Sequence, residues 1–562
     1  MKEGKFVLSW TALLIAIPVG FAGAMVTLGF RQVIEWVNRL LFGRSDDITL
    51  AMHVWPWFFW PVIVGGGGVI AGFFLRYAVA LEKKQAVGTD YLDVLNARLD
   101  AVPTRTSLFR ALSSVASISS GASIGKEGPM VQLSALCGSI IGRFLPGRFH
   151  LNNSDVVAMA AAAGLASVYH APLASAIFVA EVAFGISALQ RLIPLVIASG
   201  TSVMTMWWLG YRSALYPLAD VRFNVSIHSV LIVIVIGLVC GLAGAAFITL
   251  AGYSKKQFSR ISSLPFRLGI GGAAVGILAI FSTEILGNGY EVIINIFSGQ
   301  YLLWGLAGLL LLKLLATCCS VGSSAVGGMF TPSLLIGALV GAIFNVVTAD
   351  TGFAAQPGWL YAALGMAAVL AAISQAPLMA MLMVTEMTLN SSLLFPLMIA
   401  SVLATMVAYR LKSAVTYPLI STHFNRAEAR YDFDNTTIAE LIIPGAALLP
   451  DAPVSDALAI SSLKRERYVY VINESGRFLG VVSIHDIAAS VLSQRITPDS
   501  PIREVMDNDF PYICQDKSLR EGWEAFSKVT LERLPVLSDD KQRYFLGALT
   551  KTSLIRKAGA FI

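Results

Sequence analysis

The stretch Gly125-Lys126-Glu127-Gly128-Pro129 runs straight into the apolar segment Met130–Gly138, and its reading decides the fold. Proline is favoured in the first turn of a helix, because its missing N–H would be unpaired there anyway. The motif therefore predicts a helix over Met130–Gly138 that breaks off within the membrane. Its glycines let backbone approach closely and leave amide N–H groups free. Such a helix start carries a partial positive charge and unpaired donors, which suit an anion. Gly328-Met329-Phe330-Thr331-Pro332 repeats the device later in the chain. Further on, Ala171-Pro172-Leu173 answers Ala376-Pro377-Leu378, and Glu181 and Glu386 follow those prolines at the same distance. Repeats of this kind are typical of transporters that place a site where the copies meet.

Energetics sharpen this reading. One helix end contributes about 0.3–1 kcal/mol at a surface and up to ~2 kcal/mol when partly buried. Bringing an ion out of water costs several kcal/mol. Several helix starts must therefore converge to hold an anion, helped by hydroxyls and amides. Neutral donors also avoid a deep trap, so an ion can enter and still leave. Glu127 lies where that anion would bind. Its carboxylate would occupy the donors, and its protonation or movement would release them, which makes it a gate. Acidic residues at helix starts are often only caps, but intramembrane carboxylates are costly and functional by default. Lys126 balances local charge. The matched positions of Glu181 and Glu386 predict a structural role, each hydrogen-bonding a neighbouring backbone.

Composition places this motif in a membrane. The 562 residues are 56% hydrophobic and 14% charged, and mean hydropathy is +0.70. Soluble domains carry about 25% charged residues. Apolar runs such as Phe6–Leu28, Trp55–Leu75, Val230–Leu250 and Leu302–Leu315 approach or reach the ~20 residues a spanning helix needs. Many runs between Leu108 and Leu209 and between Met329 and Leu411 fall short. Phe6–Leu28 is too long for a signal-peptide core and reads as a retained first helix. A net charge of +6 is small for this length and predicts no nucleic-acid partner. The five cysteines (Cys137, Cys240, Cys318, Cys319, Cys514) have no CxxC spacing and support neither a disulfide framework nor a metal site. The chain has no HExxH and no GxxxxGK[ST], and Gly121–Gly125 matches GxSxG with no strand before it. Nothing points to an enzyme.

Near residue 425 the composition becomes that of a water-exposed α/β region. Residues 1–425 read as the membrane domain and 426–436 as a polar linker. Two similar segments follow, 437–495 and 499–562. Each has a helical stretch (Val454–Leu463, Leu519–Lys528), then strand, turn, strand and Gly-x-x-Ser/Thr opening a helix.

These features resemble the CLC family of chloride channels and proton-coupled chloride transporters. Gly125–Pro129 is similar to its G-[KR]-E-G-P signature, Gly328–Pro332 to its G-x-F-x-P signature, and Gly287-Asn288-Gly289-Tyr290 to a further family segment. The C-terminal repeat resembles the paired CBS domains that follow many CLC membrane domains. The resemblance implies an all-α polytopic domain with an inverted repeat, followed by a cytoplasmic α/β CBS pair. It also implies a homodimer in the bacterial inner membrane among its lipids, with one chloride pore per subunit and no required cofactor. Carried over by position, Glu127 is the gating glutamate. Gly125, Lys126, Gly128, Met329, Phe330 and the Tyr417 hydroxyl would bind the anion. Two departures stand out. The family's pore serine aligns with Val87 or Ala86, with Thr89 as a nearby hydroxyl that could substitute, and its internal proton-handling glutamate aligns with Val182. A valine carries no proton, so the expectation is a passive, voltage- or pH-gated channel, with a proton/chloride antiporter as the alternative. Ser483, Asp486 and Thr550 occupy positions that hold an adenine nucleotide in many CBS pairs, although Ser553 stands in the second copy's Asp position; the alternative is a pair that serves dimerisation and transmits gating.

Overall fold

The computed structural model describes residues 10–43, 48–85, 91–95, 101–145, 151–184, 191–211, 215–216, 218, 223, 226–349, 357–411, 436–464, 466–529 and 531–554. Two compact units make up the chain, Met1–Ile420 and Ser421–Ile562. All of the 426–436 segment except Thr436 lies outside the described residues.

The first unit contains two matching series of helices. The first comprises α1 (Trp10–Phe42), α2 (Trp60–Gln85), α3 (Thr104–Ser120), α4 (Glu127–Phe144), α5 (Asn153–Tyr169), α6 (Pro172–Val179) and α7 (Leu192–Trp208). The second comprises α8 (Ile227–Phe258), α9 (Leu264–Ala279), α10 (Leu303–Gly322), α11 (Phe330–Ala349), α12 (Gly358–Ser374), α13 (Pro377–Thr388) and α14 (Leu394–Arg410). Packing partners correspond between the series. Helix α1 lies on α5 and α7 as α8 lies on α12 and α14.

Two helices pack on their own counterparts, α2 on α9 and α6 on α13. Small residues permit the first contact. A Cβ on Gly68 would lie 2.3 Å from the Leu268 carbonyl oxygen, and one on Gly272 would lie 2.4 Å from that of Val64. The neighbouring pair is equally reciprocal, with Gly72 against Pro265 and Gly276 against Pro61. The same surface presented by both copies is the mark of a two-fold relation.

Six helices are long and apolar enough to cross a membrane among the described residues, and many others are shorter, as the sequence runs predict. Three bounds differ. Helix α1 continues past Leu28 to Phe42 and carries an Arg31–Glu35 pair at 2.9 Å on its later turns. Between Met329 and Leu411, Phe330–Ala349 and Ser391–Arg410, with 20 residues each, are long enough to span. Helix α4 starts at Glu127 and continues to Phe144 rather than ending at Gly138. Gly138 is an interior packing glycine, since a Cβ there would lie 2.4 Å from the Cβ of Ala160 on α5.

In the second unit, β1 (Ala447–Leu448) runs parallel to β2 (Tyr468–Ile472), which is antiparallel to β3 (Phe478–Ser483). The other copy repeats this with β4 (Ile513–Cys514), β5 (Arg533–Leu537) and β6 (Phe545–Thr550). Helices α15 (Val454–Lys464) and α17 (Leu519–Lys528) fall where the sequence places them, and α16 (Ile484–Leu492) follows β3. Ser518 and Glu521 close a capping box at the start of α17. The copies meet through the Tyr470 and Phe545 rings, 4.6 Å apart, and through Phe478.

The tight α2–α9 contact yields a stability prediction. Gly68→Val or Gly272→Val overpacks it and destabilises the protein by about 1–3 kcal/mol. A Cβ on Gly66 meets nothing within 4 Å, so Gly66→Val serves as the control. Thermal unfolding of detergent-solubilised protein should fall for the first two alone, and equal melting of all three contradicts the packing.

Candidate functional site

The two repeated motifs meet head to head. Gly125 N–H donates to the Gly328 carbonyl at 2.9 Å, and Gly328 N–H donates to the Gly125 carbonyl at 2.8 Å. This antiparallel bridge sets the starts of α4 and α11 side by side. Beside it lies a cavity of about 270 Å³ whose wall includes Glu127, Gly128, Gly328, Met329 and Phe330.

Glu127 is 1% exposed and reaches across to the other copy. Its Oε1 accepts from Thr331 N–H at 3.2 Å, and its Oε2 accepts from Thr331 Oγ1 at 3.3 Å. The amides of Phe330 and of Glu127 itself also act on the carboxylate. A carboxylate at the positive end of two helices is favoured by both dipoles. The glycines make room for it. A Cβ on Gly125 would fall 1.9 Å from Oε2, and one on Gly328 would fall 2.3 Å from Oε1. Gly128 is also close-packed, its would-be Cβ 3.1 Å from the Gly328 nitrogen. Lys126 is the residue that precedes α4, with α-helical backbone and a half-buried side chain.

The copies differ where it matters most. The position of Glu127 is taken in the second copy by Phe330, which packs edge-on against Phe178 at 5.1 Å and near Tyr169 at 6.3 Å. The Tyr169 hydroxyl lies 2.9 Å from Thr331 Oγ1. The bridge therefore carries one carboxylate rather than two.

Glu181 and Glu386 have the structural part expected of them, exchanged between copies. Glu386 on α13 accepts from Leu173 N–H at 3.0 Å and Ala174 N–H at 2.8 Å, at the start of α6. Glu181, just beyond α6, accepts from Met379 N–H at 3.1 Å, at the start of α13. Each carboxylate satisfies helix-start donors that would otherwise lack partners. Val182 is fully buried in the π-helical turn Ala180–Phe184.

Sequence reading missed several residues here. On another wall of the cavity, Gln132 Oε1 accepts from Tyr91 N–H at 3.0 Å while its Nε2 donates to Ser107 Oγ at 3.0 Å. Arg110 also lines the cavity and pairs with Glu82 at 2.9 Å. Lys313, buried on α10, donates to the carbonyls of Ile285 and Gly287, each at 2.9 Å, and so anchors the turn before Tyr290. A lone lysine inside an apolar run is the signal that could have found it. Ala86, Val87, Thr89 and Tyr417 lie outside the described residues. Ser483 caps α16, its Oγ accepting from His485 N–H at 3.2 Å, and Thr550 Oγ1 accepts from Ser553 N–H at 3.0 Å. Asp486 is exposed in the first turn of α16.

Fold and site together define a polytopic helical membrane protein in which two repeat-related helix starts share one buried carboxylate. Residues 67–409 match the voltage gated chloride channel family, and residues 439–493 and 502–559 match the CBS domain. The chain belongs to the CLC family and carries a CBS pair after its membrane domain. It is 37% identical over 404 residues to a ClcB-like chloride channel protein of Ralstonia nicotianae, across 71% of this chain and 93% of that protein. It is 34% identical over 419 residues to the voltage-gated ClC-type chloride channel ClcB of Citrobacter koseri, across 72% and 97% of the two. Its fold matches a slow cyanobacterial Cl−/H+ antiporter with a TM-score of 0.64 at 22% identity, over 76% of this chain and 100% of that one. A eukaryotic CLC transporter matches with a TM-score of 0.57 at 18% identity, over 97% of each chain.

The trough between Gly125 and Gly328 is testable directly. In a crystal structure of Gly328→Ala, the new methyl should push the Glu127 carboxylate off Thr331 N–H. A carboxylate still within hydrogen-bond reach of that amide contradicts the steric account.

Proposed function

We propose that this chain conducts chloride or a similar small anion passively across the membrane, through a pore gated by Glu127. The observation that carries the reading is the buried carboxylate seated on helix-start donors beside a cavity, in the position an anion would take. Protonation removes its charge and weakens its hold on those donors, so acidification opens the gate. A charge moving within the membrane also feels the potential, at ~2.3 kcal/mol per elementary charge per 100 mV for full crossing. Lys126, Gly128, Met329 and Phe330 are proposed to contribute to anion binding, mainly through backbone donors, while Gly125, whose N–H is held by Gly328, contributes the room beside them, and Tyr417 and the Val87 position complete the path. Buried Val182 supports uncoupled conduction over the alternative, a proton/chloride antiporter. The names of the Ralstonia and Citrobacter relatives support an anion as the cargo.

The CLC relationship extends the proposal to a homodimer in the inner membrane, with the CBS pair in the cytoplasm. There Ser483, Asp486 and Thr550 would hold an adenine nucleotide. The proposed boundaries are 1–425 for the membrane domain, 426–436 for the linker, and 437–495 and 499–562 for the CBS copies.

Reconstituted full-length protein in chloride-loaded vesicles tests the gate. Wild-type efflux should rise as the pH falls, whereas Glu127→Gln should conduct freely at every pH. Retained pH dependence in Glu127→Gln removes Glu127 from the gate.

A further inference from the structure

Thr331 and Tyr169 form an ordered chain of hydroxyls ending on Glu127, and we propose that it is a latch setting how firmly Glu127 closes the pore. The inference rests on the reading of Glu127 as the gate. Thr331 Oγ1 lies 3.3 Å from Glu127 Oε2, and the Tyr169 hydroxyl lies 2.9 Å from Thr331 Oγ1. All three side chains are buried. An ionised carboxylate can only accept, so the Thr331 hydroxyl hydrogen points at Glu127. That hydrogen is then used, and Tyr169 must donate to Thr331. The chain is thus polarised toward the carboxylate, each bond strengthening the next at low local dielectric. Once Glu127 is protonated the chain no longer ends on a negative charge, and the latch slackens.

The latch ties elements of both copies together. Thr331 belongs to the first turn of α11 and Tyr169 to the last turn of α5, and the Tyr169 ring is steadied against Phe330. Among the described residues, Arg110 from α3 and Tyr91 share the cavity wall with Glu127, Lys126 precedes it in the chain, and Tyr216 is close enough to feel its charge. These stay in place in every variant below. Thr331 and Tyr169 are positioning residues, acting through Glu127.

Chloride efflux from vesicles holding the full-length protein is measured across pH. Thr331→Val keeps the amide and the shape and loses only the hydroxyl. It should raise efflux at neutral pH by about tenfold, the scale of one hydrogen bond to a charged group, and move half-maximal efflux to higher pH. Thr331→Ser should restore the wild-type profile. Tyr169→Phe should shift the profile in the same direction by less, and it covers the case in which the Thr331 variant fails to fold. In a Glu127→Ala background, Thr331→Val should change nothing. An unshifted profile in Thr331→Val and Tyr169→Phe, or an equal shift without Glu127, overturns the latch and leaves the gate standing. A Glu127→Ala protein with the wild-type profile overturns the gate, and the latch with it.

Discussion

One carboxylate held between two glycine backbones, at the shared start of two helices, is the constraint on which the rest of the membrane unit depends. The seat exists only while Gly125 and Gly328 exchange their hydrogen bonds, at 2.9 and 2.8 Å. That exchange requires α4 and α11 to stay in register although they belong to different halves of the chain. The glycine contacts between α2 and α9 brace the same two-fold relation, as do the crossed carboxylates of Glu181 and Glu386. Much of the architecture thus keeps two distant motifs within hydrogen-bond reach.

Duplication supplies the scaffold, and departure from it leaves a single carboxylate at the bridge. Two helix starts give the positive potential that one could not, as the cost of dehydrating an anion requires. A second glutamate at the bridge would set two like charges beside each other in a buried site. Phe330 avoids this, and its ring fills the space beside Tyr169 and Phe178. The result is one buried carboxylate on a repeated frame, its Thr331 donors drawn from the copy that lacks the acid.

Much of this was legible in the sequence because the decisive signals are local. Pro129, Pro332, Pro172 and Pro377 mark helix starts, and the glycines beside them mark close approach. The register of Ala171-Pro172 with Ala376-Pro377 exposed the duplication. Partners across the two-fold were not legible. Spacing within a copy says nothing of which backbone Glu386 reaches, and Thr331 was visible only as a variable letter in a motif. Tyr169 stands at a helix end with no pattern around it, so only its 2.9 Å approach to Thr331 reveals a part for it. Helix bounds failed where a glycine served packing rather than termination, as Gly138 does against α5.

The same geometry bears on coupling. Position 182, next to Glu181 in the chain, is a buried valine, which carries no proton. An anion path gated, as proposed, by Glu127 alone should then carry charge without a fixed partner ion. The most direct measurement is the reversal potential of the full-length protein in planar bilayers, with equal chloride on both sides and a pH gradient across them. Passive conduction predicts a reversal potential of zero whatever the gradient. A reversal potential that grows in proportion to the pH difference would contradict it and assign the chain to proton-coupled exchange.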